Sequence, residues 1–226
     1  HQVGELAAEH ATTTERERRL AAPAAEALLE SGLIKILQPA RFGGYELGFG
    51  ELVRVGQTIA HHDVSAAWVF CILGIHHWWG AFVNPQLQDE LWGEDPETCF
   101  VDSFAPNGKA EPVDGGMRLS GKWGFLSGLP WARWAAVGAI APAAPGAEPE
   151  YLMFFVPQSD YTVVDDWHTV GLRGSASASV QVDKVFVPTH RVFRMGHAMA
   201  TGEIPGHAEN PGPLYRVSLV GGLGLA

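Results

Sequence analysis

The sequence predicts an α+β fold, a helical N-terminal region followed by a β-rich one, and three observations predict it. Up to about residue 95 the apolar residues recur at helical spacing between capping residues. From residue 98 short β-prone runs alternate with Gly and Pro turns. Near residue 204 this pattern gives way to a Gly/Pro stretch and a last apolar run. The expected divisions are an all-helical domain at 1–95, a β domain at 96–203, and at 204–226 a linker and the start of a further helical domain.

Residues 2–20 read as one helical stretch with charges on several faces. Pro23 suits a first turn, where its missing N–H costs nothing, and residues 24–30 are good helix formers. Gly32 suits a left-handed C-terminal cap, and residues 39–44 (PARFGG) form a turn. Leu52, Val53, Val55 and Ile59 give residues 50–60 an apolar face at helical spacing. Asp63 caps the next helix, and Asn84-Pro85 opens another that ends near Trp92. Residues 64–83 are nearly long enough to span a membrane. His76 and His77 inside them favour a buried central helix.

The β-prone runs are 99–104, 117–125, 134–140, 151–156, 161–167, 179–187 and 192–194. Asp114-Gly115-Gly116 marks a hairpin turn, and 141–149 is a surface turn. Strands at this spacing predict a small barrel or sandwich. Residues 214–226 read as an apolar helix that stops in mid-pattern, which points to a truncated chain or a missing helical domain. The chain opens on His1 rather than Met, which points to residues lost or omitted upstream.

Composition narrows the function. The 226 residues are 46% hydrophobic and 18% charged, with a net charge of −10, as in an ordinary soluble globular protein. No Lys/Arg cluster is long enough to track a phosphate backbone, which argues against nucleic-acid binding. Two isolated cysteines, Cys71 and Cys99, give neither a disulfide framework nor a zinc pattern. With no signal peptide visible, a cytoplasmic setting is the default. The pairs His61-His62 and His76-His77 do not share a helix face, and no Cys, Asp or Glu cluster completes a metal site. Eight Trp suggest deep pockets or large interfaces.

Two segments carry the chemistry: 120–128 (SGKWGFLSG) and 171–188 (GLRGSASASVQVDKVFVP). Each joins a strand-like run to small residues and one large aromatic or cationic side chain. Such surfaces let a flat heteroaromatic cofactor lie against a sheet.

These two segments, with 39–44, 63–68 (DVSAAW), 104–110 (FAPNGKA) and 113–116 (VDGG) in the same order, resemble the acyl-CoA dehydrogenase fold. More closely, they resemble the oxygenase components of two-component flavin-dependent monooxygenases that hydroxylate phenols such as 4-hydroxyphenylacetate, ring-opened steroid phenols and aromatic polyketides. The resemblance implies a helical domain, a β-barrel or sandwich domain, and a C-terminal four-helix domain largely missing here. It implies reduced flavin, FMN favoured over FAD, supplied by a separate reductase. Reaction with O2 gives a C4a-hydroperoxyflavin that delivers OH to the ring of a small aromatic substrate. A homotetramer is implied as well.

By that resemblance Trp123, Phe125, Leu126, Ser127 and Gly128 run along the flavin edge, with Arg173 and Ser175 on the second wall. Related enzymes often carry Ser or Thr where Leu126 stands, so a backbone N–H or Ser127 serves N5 instead. On a strand neighbours face opposite ways, so Ser127 does not simply replace residue 126. Arg173 reads equally as a flavin contact or an ion pair pinning a loop. Gly174 and Ser175 permit close approach, and Ser175, Ser177 and Ser179 share one strand face. His77 and Ser103 best fit the His and Ser that meet the phenol oxygen, with His76 the neighbouring possibility. Successive helical residues point about 100° apart, so at most one His faces the ligand. Two other readings are an acyl-CoA dehydrogenase-type flavoenzyme and a truncated, non-catalytic ligand-binding or interaction protein.

Overall fold

A 17-residue helix, α5 (Val64–Gly80), lies at the centre of the molecule. In the computed structural model, which describes residues 1–142 and 149–223, thirteen of its residues are buried. A helix apolar on every side belongs in a core. Asp63 starts it, its side chain accepting the Ala66 N–H at 2.7 Å, which satisfies one orphan donor of the first turn. The helix packs against α4 (Phe49–Ala60). At Gly56 a Cβ would lie 2.7 Å from Cys71 Sγ, so this approach requires glycine. Among the described residues no helix is long and apolar enough to cross a membrane.

The other helices of this region are α1 (Gln2–Glu9), α2 (Ala11–Glu17), α3 (Ala22–Glu30) and α6 (Pro85–Trp92). The single helical stretch expected over 2–20 is broken twice, at His10 (φ −99°, ψ 10°) and at Arg18, which is left-handed with φ 57°. The three threonines between them are poor helix formers. Thr14 is buried, and its Oγ1 accepts the Ala21 N–H at 3.1 Å. Arg18 forks onto Asp165 at 2.6 and 2.7 Å, tying the end of α2 to the β region.

That region is a seven-stranded sheet in the order β5-β6-β2-β1-β3-β4-β7. Its strands are β1 (Phe100–Val113), β2 (Gly116–Trp123), β3 (Trp134–Ala141), β4 (Glu150–Pro157), β5 (Thr162–Val164), β6 (Ser179–Pro188) and β7 (Val192–Phe193). β1 is much longer than the expected 99–104. It pairs parallel with β3 from Phe100 and antiparallel with β2 from Lys109, with register shifts between Ser103 and Gly108. The two-residue Asp114-Gly115 turn closes the β1–β2 hairpin, with Gly115 at φ 76°.

The sheet curls. β6 and β7 stand five strands apart, a flat distance of roughly 24 Å at normal spacing. Yet only residues 189–191 separate them in sequence, and four peptide steps reach at most about 14 Å. The barrel or sandwich expectation takes this form.

The Gly/Pro stretch after α7 (Met195–Thr201) is docked rather than spanning. Asn210 is buried and donates to the Ala81 and Gly206 carbonyls and to Gln88 Oε1. Tyr215 is fully buried, its hydroxyl donating to the Leu37 carbonyl at 3.1 Å. Where one helix is expected from residue 214, the described residues form a 3-10 turn at Pro213–Arg216 and then α8 (Leu219–Leu223). The last residues, 224–226, lie outside the described residues, as does most of the predicted 141–149 turn.

Candidate active site

The two segments singled out by the sequence meet at the end of β2. Trp123, the last residue of β2, is fully buried and donates from Nε1 to the Gly138 carbonyl at 2.8 Å, so it ties β2 to β3 across β1. Regular pairing then stops. Phe125 stands at φ 64° with 78% of its surface exposed. A left-handed conformation is strained for a bulky residue, and an aromatic ring in solvent is costly as well. The period-two argument for residues 126 and 127 therefore does not apply, because the strand ends before them. The Leu126 side chain is fully buried and faces the core. The Trp167 ring meets Phe125 edge-on, with centroids 5.9 Å apart.

Behind Phe125 lie buried hydroxyls. Ser127 Oγ sits 2.7 Å from Ser177 Oγ, and Ser177 Oγ 2.6 Å from Ser175 Oγ. Trp68 of α5 donates to Ser127 Oγ at 2.9 Å. The Gly128 N–H donates to the Ser175 carbonyl at 2.9 Å, which joins the two segments through their backbones.

The second segment differs from its expected shape. Residues Arg173–Ser175 form a 3-10 turn between left-handed Leu172 (φ 52°) and Ala176 (φ 50°), and β6 begins only at Ser179. Ser179 consequently leaves the serine group, and its Oγ donates to Asp166 Oδ2 at 2.8 Å. Lys122 and these Ser179 bonds hold the Asp166 carboxyl below its ordinary range. Close approach at Gly174 serves the fold: a Cβ there would lie 2.4 Å from Thr14 Cγ2 and 2.7 Å from Ser65 Cβ. Arg173 donates from Nε to the Glu15 carbonyl at 3.0 Å and from Nη1 to the Thr169 carbonyl at 3.1 Å. Its Nε also lies 3.3 Å from Glu15 Oε2. These contacts match the loop-pinning alternative.

The two histidines of α5 diverge. His76 is 3% exposed and stacks on Phe100. Its Nδ1 lies 2.8 Å from the Phe100 carbonyl and its Nε2 3.1 Å from Asp102 Oδ2, which also accepts the Trp79 indole N–H at 3.0 Å. His77 stacks on Trp92 instead, and its Nδ1 lies 2.7 Å from the Leu73 carbonyl. A carbonyl only accepts, so the His77 hydrogen sits on Nδ1. Its Nε2 is buried without a hydrogen-bond partner. Burial lowers its pKa to about 4, against a smaller opposing effect of the Leu73 carbonyl. His76, not His77, thus lies against β1, the strand that carries Ser103.

Ser103 donates from Oγ to the Gly124 carbonyl at 3.1 Å. This bond links β1 to the turn that presents Phe125. Asp102 and Trp79 are the neighbours that sequence reasoning missed; nothing in the local sequence pairs an acid on β1 with a ring on α5. Among the described residues no group of three His, Cys, Asp or Glu side chains is placed to hold a metal.

No protein-family model matches the chain. It is 37% identical over 210 residues to the flavin-dependent monooxygenase oxygenase subunit HsaA of Rhodococcus jostii, covering 92% of this chain and 54% of that protein. It is 38% identical over 204 residues to the oxygenase component of the FADH2-dependent resorcinol hydroxylase of a Rhizobium species, covering 90% and 50%. The crystal structure of 3-HSA hydroxylase from Rhodococcus sp. RHA1 superposes with a TM-score of 0.88 at 36% identity, over 94% of this chain and 54% of that one. The chain thus spans about half the length of the curated relatives it matches. By sequence and by its acyl-CoA dehydrogenase-like fold, it is a relative of the oxygenase components of flavin-dependent monooxygenases.

Proposed function

We propose that this chain carries the flavin-facing and substrate-facing walls of the oxygenase component of a two-component monooxygenase that hydroxylates a phenolic ring. The observation that carries the reading is the Ser103–Gly124 hydrogen bond. It puts the residue expected to meet the phenol beside the turn expected to meet the flavin, and oxygen transfer needs the two reactants adjacent. The relatives support the same class: one is named for resorcinol hydroxylation with FADH2.

The face beside Phe125 suits a flat heteroaromatic ring. It offers an exposed aromatic side chain held in a strained conformation, with a polar hydroxyl two residues on. Trp123 and Leu126 support this wall from the core, and Gly128 and Ser175 fix its curvature through their backbone bond. Arg173 holds the second wall to α2. Reduced flavin, FMN or FAD, delivered by a separate reductase, would supply the two electrons that activate O2, which is the source of the transferred oxygen atom.

Ser103 is the substrate residue with an accessible side chain. Its hydrogen goes to the Gly124 carbonyl, so toward a phenol its oxygen accepts. Accepting the phenol hydrogen increases electron density in the ring, which favours attack on an electrophilic oxygen. His76 and Asp102 brace β1 from behind and act as positioning residues. His77 stays neutral against Trp92. A homotetramer completes the proposal.

The test is anaerobic titration with reduced FMN and FAD, followed by O2 and a panel of phenols with a flavin reductase. Catechol or quinol formation supports the reading. Flavin oxidation that yields only H2O2 with every phenol sinks the hydroxylase assignment. Ser103→Ala is expected to lower hydroxylated product by about 100-fold, the lower end for a lost proton-handling group; because the same hydroxyl holds the Gly124 turn to β1, the change in flavin affinity is read separately in the titration.

A further inference from the structure

Two acceptors meet the His76 ring, and their geometry fixes its hydrogens. The Phe100 carbonyl lies 2.8 Å from Nδ1, and a carbonyl only accepts, so one hydrogen sits on Nδ1. Asp102 Oδ2 lies 3.1 Å from Nε2 and takes the Trp79 indole N–H as well, at 3.0 Å. A bare Nε2 would set a lone pair against that carboxylate oxygen. The two side chains are 4% and 12% exposed, so water would relieve little of the repulsion. A second hydrogen therefore lies between Nε2 and Oδ2. Trp79 donates to the same oxygen, which favours negative charge there and leaves the hydrogen on Nε2. His76 is then an imidazolium paired with a carboxylate, and no net charge is buried. The pair stands where the strand ladder becomes irregular: β1 keeps its register with β3 from Phe100 to Ser103, and the register shifts beyond Ser103. Around this point side chains join β1 to its neighbours, Asp102 to α5 and Tyr151 of β4 to the Phe104 carbonyl at 2.6 Å.

We propose that the His76–Asp102 pair is a proton-operated latch between α5 and β1, and that it positions Ser103, the next residue of the strand. With the Nε2 hydrogen in place the two side chains attract. Once it leaves, a nitrogen lone pair faces a carboxylate oxygen and the join loosens. Both are positioning residues, acting on the reaction only through β1. Two further titratable groups act on the pair electrostatically. His77, the next residue of α5, has its pKa lowered to about 4, chiefly by burial, and stays neutral above that pH. The Tyr151 phenol is pushed up to about 12, by burial first and by the Asp102 charge second. Strands β3 and β7 contribute no titratable side chain. The consequence for hydroxylation rests on the function proposed above; the latch itself does not.

The experiment follows the histidine ring nitrogens and the Ser103 amide by NMR from about pH 5 to about pH 10, a range that brackets ordinary histidine titration. It uses the unaltered chain, His77→Gln and Asp102→Asn. At neutral pH His76 is expected to carry hydrogens on both nitrogens and His77 on one. As pH rises, the His76 Nε2 hydrogen is expected to be lost and the Ser103 amide to shift along the same curve. His77→Gln is expected to leave that curve in place. Asp102→Asn, whose amide does not hold a cation, is expected to abolish it. A bare His76 Nε2 at neutral pH overturns the assignment of hydrogens. A hydrogen that stays throughout the range, a Ser103 amide that ignores its loss, or a curve that survives in Asp102→Asn overturns the latch. Where the phenol panel gives hydroxylated product, the yield per flavin oxidised is expected to fall along the same curve, and a yield that ignores it overturns the positioning of Ser103. Where no phenol is hydroxylated, the proposed function fails while the NMR outcomes still decide the latch.

Discussion

The two sides of α5 that carry His76 and His77 place adjacent, equally buried histidines in opposite situations. On the His76 side both ring nitrogens face oxygen acceptors on β1, and Trp79 joins the same carboxylate. On the His77 side one nitrogen bonds within its own helix and the other has no partner. The difference lies in what the neighbouring element offers. β1 brings a carbonyl and an acid, whereas His77 meets the flat, apolar face of Trp92. Burial alone does not predict the chemistry of a histidine; the element it packs against does.

The largest effect that breaks this comparison comes from Trp79. It is fully buried among Phe100, Phe104, Phe155 and Phe193. Trp79→Ala removes that packing and the bond to Asp102, and is expected to cost about 3–5 kcal/mol, read by urea unfolding.

The next concerns His77. Its folded pKa of about 4 lies below the unfolded value of 6.5, so the unfolded chain binds the extra proton. Stability is full above pH 6.5 and is lost as pH falls from 6.5 toward 4. The loss is on the order of 3 kcal/mol, at 1.36 kcal/mol for each pKa unit. Unfolding curves across that range in the unaltered chain and in His77→Gln check this; equal slopes would show that His77 does not titrate between the two states.

A smaller effect sharpens the other side. Asp102→Asn keeps the shape but turns one acceptor into a mixed amide, and is expected to cost about 1–3 kcal/mol. Imidazole nitrogen NMR should show the His76 resonances moving in this variant while those of His77, with its hydrogen on Nδ1, stay in place. The smallest effect belongs to the solvent-facing tether. Arg173→Gln removes a partly exposed pair with Glu15 and is expected to cost about 0.2–1 kcal/mol.

The sequence made the layers legible because capping and periodicity are local. Asp63, Asn84-Pro85 and the Asp114-Gly115 turn all perform the roles their residue types dictate. It was less informative where backbone strain or distant contacts decide. Nothing local to Phe125, Leu172 or Ala176 forecasts a left-handed residue. The end of β2 at Trp123 and the late start of β6 at Ser179 follow from them. The break between α1 and α2 at His10 was not readable, and the three threonines that follow it are themselves helical. The choice between His76 and His77 was not readable either, because it depends on Asp102, 26 positions from His76 in sequence but 3.1 Å from its ring in space.

The fork from Arg18 to Asp165 joins residues 147 positions apart, and Arg173 reaches Glu15 across 158. Closing loops of such length carries an entropy cost that grows only slowly with length, and each contact exists only where both of its ends are held. The left-handed end of α2 and the turn at Arg173 therefore reach their final shapes only once both regions are in place. A cut near residue 95, natural as a boundary in the sequence, would leave each piece without the partner that completes it.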